Sequence, residues 1–223
     1  MPLEPSAPNT KTGSLPTLAA VDLSCRRGNR LLFSGLNLQV KAAELNWLRG
    51  RNGRGKTSLL RLAAGLAVPE SGRVFWGEQP VRGNPAFQRA LVFIAHANAL
   101  KDDLSVTEAL QFLARMHGRD SSTAALHAAL DRVGMAGRRG AMVRTLSPGQ
   151  RRRAALARLA LERTASVWIL DEPYDALDTE GIACVNGLLA EHLARGGSSI
   201  LTSHQHPGAG APPMVEFDLD TLA

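Results

Sequence analysis

The alternation of apolar and polar side chains changes rhythm twice along the chain. From Leu18 to Leu48, short alternating segments are broken at Gly28-Asn29 and Lys41-Ala42, a pattern that predicts antiparallel strands. Trp47-Leu48 then runs into a glycine-rich stretch over 50–55. Leu59, Leu60, Leu62, Ala63 and Leu66 recur at helical spacing until Pro69 stops them. Residues 70–95 read as a further short-strand region, with Val74-Phe75-Trp76 and then Leu91 to Ala95. Near residue 97 strand signals give way to helical periodicity over 105–117, 122–133 and 147–162. An α/β rhythm then returns. Residues 166–170 (SVWIL) form a continuous apolar run of the kind buried on both faces of a sheet. A helix over 180–195, a strand over 198–203, a Pro/Gly loop over 207–213 and a last strand over Met214–Leu219 complete the series. His127 and His192 fall on the helical segments and are expected to face solvent.

The organisation is an α/β fold with a strand-rich first third and a helical insert over approximately 97–163. Residues 1–17 (MPLEPSAPNTKTGSLPT) predict a disordered N-terminal tail, and 18–223 a single domain. The 223 residues are 44% hydrophobic and 21% charged, which excludes a wholly disordered or collagen-like chain. The apolar stretch Leu62–Val68 spans seven residues, where a bilayer crossing needs about 20. No secretory leader is expected over 1–20, which lack a basic start and a long apolar segment. Cys25 and Cys184 show neither a pairing pattern nor metal spacing, so a reducing compartment is expected. The net charge of +6 fits an ordinary arginine-rich surface, a site for anionic nucleotides, or a face toward anionic lipid or nucleic acid, and does not choose among them.

Chemistry begins at Gly50-Arg51-Asn52-Gly53-Arg54-Gly55-Lys56-Thr57, followed by Ser58 and the apolar helix. Glycines let a backbone wrap a phosphate chain, and successive amides then point inward as an anion nest. The helix start adds its positive end, Lys56 a fixed cation, and the Thr57 hydroxyl a ligand for Mg²⁺. The strand 167–170 runs into Asp171-Glu172, placing two carboxylates at the edge of a parallel sheet where ligands bind. With the glycine loop upstream, Asp171 is expected to serve the Mg²⁺ shell and Glu172 to orient or deprotonate an attacking water. Ser147-Pro148-Gly149-Gln150 has the order of a capped helix start, with Ser147 at the N-cap and Gln150 three residues on. By itself that segment is either a well-capped helix or a second anion site.

Taken in order, these segments resemble those of the ATP-binding cassette family over nearly all of residues 18–206. GRNGRGKT is similar to the Walker A loop, LSPGQ to the signature, and VWILDEP to Walker B. Asp175-Ala176-Leu177-Asp178 resembles the D-loop and Ser203-His204 the switch histidine. The resemblance implies a P-loop NTPase fold with a RecA-like core, an antiparallel β subdomain and a helical subdomain. It implies an ATPase that uses ATP and Mg²⁺ and works as a homodimer with two ATP molecules sandwiched head to tail. Ser147, Gly149 and Gln150 of one copy, with Asp178, would then complete the site built on the other's Lys56. His204 would bond the γ-phosphate and help fix the water near Glu172.

Three departures stand out. His96 occupies the position of the family's usual glutamine, from which it would address the γ-phosphate or metal. Arg27, before Gly28, replaces the adenine-stacking aromatic; it is either a stacking guanidinium plane or a plain surface charge. Pro148 replaces a glycine and removes an amide donor. LLFSGLNL, GRGKTSLLRLAAGL, WILDEPYDALD and LTSHQ, with His96, resemble a subgroup: the small ATPase subunits of haem-handling transporters for cytochrome c maturation. That likeness implies integral membrane transporter subunits as partners and a peripheral position on the cytoplasmic face of the inner membrane. The alternatives are the ATPase of another small exporter, or a soluble cassette ATPase in iron–sulfur assembly or on nucleic acid. No nucleic-acid partner is expected, because the zinc modules, coiled insert and second cassette of such relatives have no counterpart here.

Overall fold

The computed structural model describes residues 14–208 and 210–222, so most of the expected N-terminal tail lies outside the described residues. Strand β1 (Leu18–Arg27) turns through Gly28, at φ 57°, into β2 (Arg30–Val40). Strand β3 (Leu45–Arg49) enters the glycine loop, and helix α1 (Lys56–Ala63) leaves it. Strands β4 (Ser71–Trp76) and β5 (Gln79–Pro80) return to the first hairpin, giving an antiparallel sheet in the order β2-β1-β4-β5. Helix α2 (Pro85–Ala90) and strand β6 (Leu91–Ile94) lead to helices α3 (Val106–Met116), α4 (Thr123–Arg132) and α5 (Pro148–Leu156). Strand β7 (Val167–Leu170), helix α6 (Thr179–Ala194) and strands β8 (Ser198–Thr202) and β9 (Val215–Asp218) complete a second sheet, ordered β6-β7-β8-β3-β9. Every pairing in that second sheet is parallel.

Period-two alternation along β7 explains how the layers stack. Val167 and Ile169 point into one core with Leu48, Leu59, Leu60 and Ile200, shared with the antiparallel sheet. Trp168 and Leu170 point into the other, with Leu110, Leu126, Leu156 and Leu189 of the helices. Both faces of the parallel sheet are therefore covered, as its continuous apolar strands require. At full burial each large side chain contributes roughly 1.5–3 kcal/mol by the usual area scale. The carboxyl ends of β7 and β8 are thus anchored from two sides.

Several expectations differ from the structure. The strand 45–49 belongs to the parallel sheet rather than the antiparallel one, because Leu45, Asn46, Trp47 and Leu48 are all buried and need cover on both faces. Within the stretch read as strand, α2 forms instead. Asn84 Oδ1 caps it by accepting from the amides of Ala86 and Phe87, Pro85 fits its first turn, and Phe87 anchors it against Trp76. The helix expected over 147–162 is α-helical only to Leu156 and tightens to a 3₁₀ turn over Ala157–Leu161. His192 does not face solvent. It is fully buried, its ring stacked on Trp168 with centroids 3.8 Å apart.

Candidate functional site

The glycine loop joins β3 to α1. Gly50, Gly53 and Gly55 adopt φ of 138°, 78° and 103°, a region that side chains disfavour. At Gly55 a Cβ would also lie 3.1 Å from Leu32 and 3.2 Å from Phe33, so the loop is pressed onto β2. Lys56 is buried at the first turn of α1, and its Nζ donates to the Gly50 carbonyl at 2.6 Å. A cavity of about 470 Å³ opens above the loop, with Asn52, Gly53, Gly55, Lys56, Thr57 and Ser58 along one wall. Asp171, Glu172, His96 and His204 face them, and Arg27 stands at the rim with Arg30. A nested amide loop, a buried ammonium and a helix N-terminus together suit a phosphate chain.

Parallel pairing of β7 with β8 sets Leu170 beside Leu201, so Asp171, just past β7, comes beside Thr202 at the end of β8. The Thr202 hydroxyl donates to Asp171 Oδ1 at 2.9 Å and accepts the Glu172 amide at 2.9 Å. The Thr57 hydroxyl donates to the same carboxylate at 3.0 and 3.2 Å. Asp171 is buried and held between two hydroxyls, and its oxygens with that of Thr57 are the hard donors Mg²⁺ prefers alongside phosphate oxygens. Glu172 sits at φ 50°, the left-handed region, which turns its side chain toward the cavity. The His204 amide donates to Glu172 Oε2 at 3.0 Å, and His204 Nε2 lies 3.5 Å from Oε1. His96 is exposed, with Nδ1 4.0 Å from Asp175.

The remaining predicted residues gather elsewhere. Ser147, Gly149, Gln150 and Asp178 line a second cavity of about 420 Å³, which shares no lining residue with the first. Ser147 is exposed and closes a reciprocal capping box. Its Oγ accepts the Gln150 amide at 3.2 Å, and its own amide donates to Gln150 Oε1 at 3.1 Å. The hydroxyl proton therefore remains available to an outside acceptor. A Cβ on Gly149 would fall 2.6 Å from the Ala176 carbonyl, so the two segments lie in backbone contact. Asp178 caps α6 through the Gly181 amide and pairs with Arg153, and both hold its carboxyl below the usual range.

Gly50, Arg51 and Arg54 do not line the first cavity. They pack against the 3₁₀ turn Leu219–Leu222, where Asp220 accepts the Arg51 amide at 2.9 Å and approaches Arg54 Nε at 3.1 Å. Sequence reasoning missed Thr202, Asp220 and Arg152. Thr202 follows from the β7–β8 register once the pairing is known. Asp220 lies 169 residues from Arg51 and carries no local signal.

The family profile described as "ABC transporter" matches residues 33–175. The chain is 44% identical over 211 residues to the cytochrome c biogenesis ATP-binding export protein CcmA of Aromatoleum aromaticum, covering 94% of this chain and 98% of that one. It is 46% identical over 188 residues to the protein of the same name from Methylococcus capsulatus, covering 84% and 90%. A solved Pyrococcus furiosus structure, described as an ABC transporter ATP-binding protein, superposes with a TM-score of 0.79 at 22% identity over 93% of this chain and 99% of that one. With this fold, a glycine cradle opposite a carboxylate pair and these relatives, the chain belongs to the ATP-binding cassette transporter family.

Proposed function

We propose that the chain is the ATP-hydrolysing subunit of a transporter that handles haem for cytochrome c biogenesis. The observation that carries the hydrolytic reading is the hydrogen-bonded path from the Thr57 hydroxyl through the Asp171 carboxylate and the Thr202 hydroxyl to the Glu172 amide, with the Glu172 carboxylate accepting from the His204 amide, across the cavity from Lys56. Lys56 and the loop amides hold the outer phosphates, and Thr57 with Asp171 would hold Mg²⁺, which would supply charge neutralisation on those phosphates. Glu172 accepts the proton of the attacking water, and His204 bonds the γ-phosphate beside it. His96, which lines the same cavity, would address the same phosphate or its metal. Ser147, Gly149 and Gln150 of a second copy, with Asp178, close over the triphosphate, so the working unit is a homodimer. The relatives' names support the haem assignment. Integral membrane subunits of the CcmB/CcmC kind are the partners, and the place of action is the cytoplasmic face of the inner membrane. No helix among the described residues is long and apolar enough to cross a bilayer.

Replacing Glu172 with Gln tests the chemistry. Hydrolysis falls by about 100-fold or more while ATP binding persists; undiminished turnover would remove Glu172 as the base. Fractionation tests the setting. Membrane association that disappears with the integral partner supports transport, and a persistent soluble, RNA-bound pool argues for a different machine.

A further inference from the structure

Arg152 lies one and a half turns beyond Ser147 on α5, and it is only 3% exposed. A guanidinium carries five N–H donors in a rigid plane, and here all five meet an acceptor. Nη1 donates to the Ala95 carbonyl at 2.9 Å and to Asn98 Oδ1 at 3.0 Å. Nη2 donates to the carbonyls of Asp171 and Glu172, each at 2.7 Å. Nε donates to the Pro173 carbonyl at 3.4 Å. One side chain thus grips three consecutive carbonyls through the Asp171-Glu172 turn and two acceptors on either side of His96.

None of the five acceptors is a carboxylate. Burial pushes the Arg152 pKa down, and the nearby Asp175, Asp171 and Glu172 carboxylates oppose that shift without bonding to the guanidinium. Burying a cation against neutral acceptors is unfavourable, and apolar packing would hold α5 against the sheet at lower cost. A rigid fork does something apolar packing does not: it fixes carbonyl directions. The turn it fixes contains Glu172 in the left-handed conformation, which relaxes unless its neighbours hold it. The helix that carries the fork starts at the exposed Ser147 turn, about 7.5 Å away along its axis at 1.5 Å per residue.

We propose that Arg152 is a positioning residue that ties the Ser147 turn to the Glu172 backbone and to the segment bearing His96. A shift of α5 when the Ser147 turn meets the second copy's phosphate then moves the carbonyl frame of Glu172 and His96 together. The proposal rests on Glu172 acting as the base.

The test is a double-mutant cycle on the full chain, with kcat and KM for MgATP measured by γ-phosphate release and single turnover. Arg152→Lys keeps the charge but loses the planar fork, and lowers kcat about tenfold with KM within twofold. In the Glu172→Gln background the same substitution lowers kcat by twofold at most, because the carboxylate whose placement limits turnover is gone. Asn98→Ala removes one acceptor from a loop, lowers kcat about threefold at unchanged KM, and keeps the test alive should Arg152→Lys not fold. Wild-type kcat in both single variants, or an equal tenfold loss in the Glu172→Gln background, overturns the proposal. Wild-type turnover by Glu172→Gln alone sinks the base assignment instead, and is read separately.

Discussion

Lowering the pH from 7 to 5 should remove about 2 kcal/mol of folding stability through His192 alone. The imidazole is fully buried on α6, stacked on Trp168 with planes 9° apart, and its Nε2 lies 3.2 Å from the Ser198 carbonyl. A Cβ on Gly197 would come within 2.1 Å of the ring, so the backbone closes over it. Burial pushes the pKa from 6.5 down to about 4; the Arg195 cation adds to this, and the Ser198 and Ser166 carbonyls oppose it. The folded pKa is depressed, so below pH 6.5 the unfolded chain takes a proton that the folded chain refuses. Stability is therefore complete above pH 6.5 and falls as pH drops toward 4. A gap of about 2.5 units at 1.36 kcal/mol each sets a ceiling of about 3 kcal/mol, two-thirds of which is lost by pH 5. Urea unfolding followed by tryptophan fluorescence at pH 7, 6 and 5 measures this, with His192→Leu as the non-titrating comparison. Carboxylates contribute to both proteins, so the difference between the two slopes isolates His192. Parallel pH profiles for wild type and His192→Leu would refute the reasoning.

Two further outcomes concern the cavities separately. Lys56→Ala removes the buried ammonium at the loop and should weaken ATP binding about tenfold or more, read by calorimetry with MgATP; unchanged affinity contradicts the cradle. Gly149→Ala drives a Cβ to 2.6 Å from the Ala176 carbonyl, where backbone must yield. Its kcat should fall about tenfold while KM for ATP stays within twofold, since the first cavity is untouched; a rise in KM alone would contradict the separation of the two sites.

What the residues disclosed in advance follows from how local each signal is. The glycine loop, the carboxylate pair after β7 and the Ser147 capping box are read from neighbours a few positions apart, and their geometry is set by the same neighbours. Helix α2 was missed because Phe87 is its only buried residue, leaving no period to detect. The burial of His192 was missed because helical spacing places it on a face without telling what covers that face; Trp168 and the 197–198 backbone do. Strand β3 hides its parallel partners behind Asn46, which reads as a solvent-facing position in an alternating strand but is 1% exposed. Nothing in the run Arg151-Arg152-Arg153 sets the middle residue apart, and only the tertiary fold gives it five acceptors. The division of most predicted nucleotide-binding residues between two cavities, with Gly50, Arg51 and Arg54 in neither, is likewise invisible in one dimension.

The most direct measurement is the solution mass of the Glu172→Gln chain by sedimentation velocity, with and without MgATP. The account predicts one chain of 23.8 kDa without nucleotide and twice that mass with it, the dimer being lost when Ser147→Arg is added. A chain that binds ATP through its Lys56 loop yet keeps the single-chain mass, or a dimer indifferent to Ser147→Arg, would contradict it.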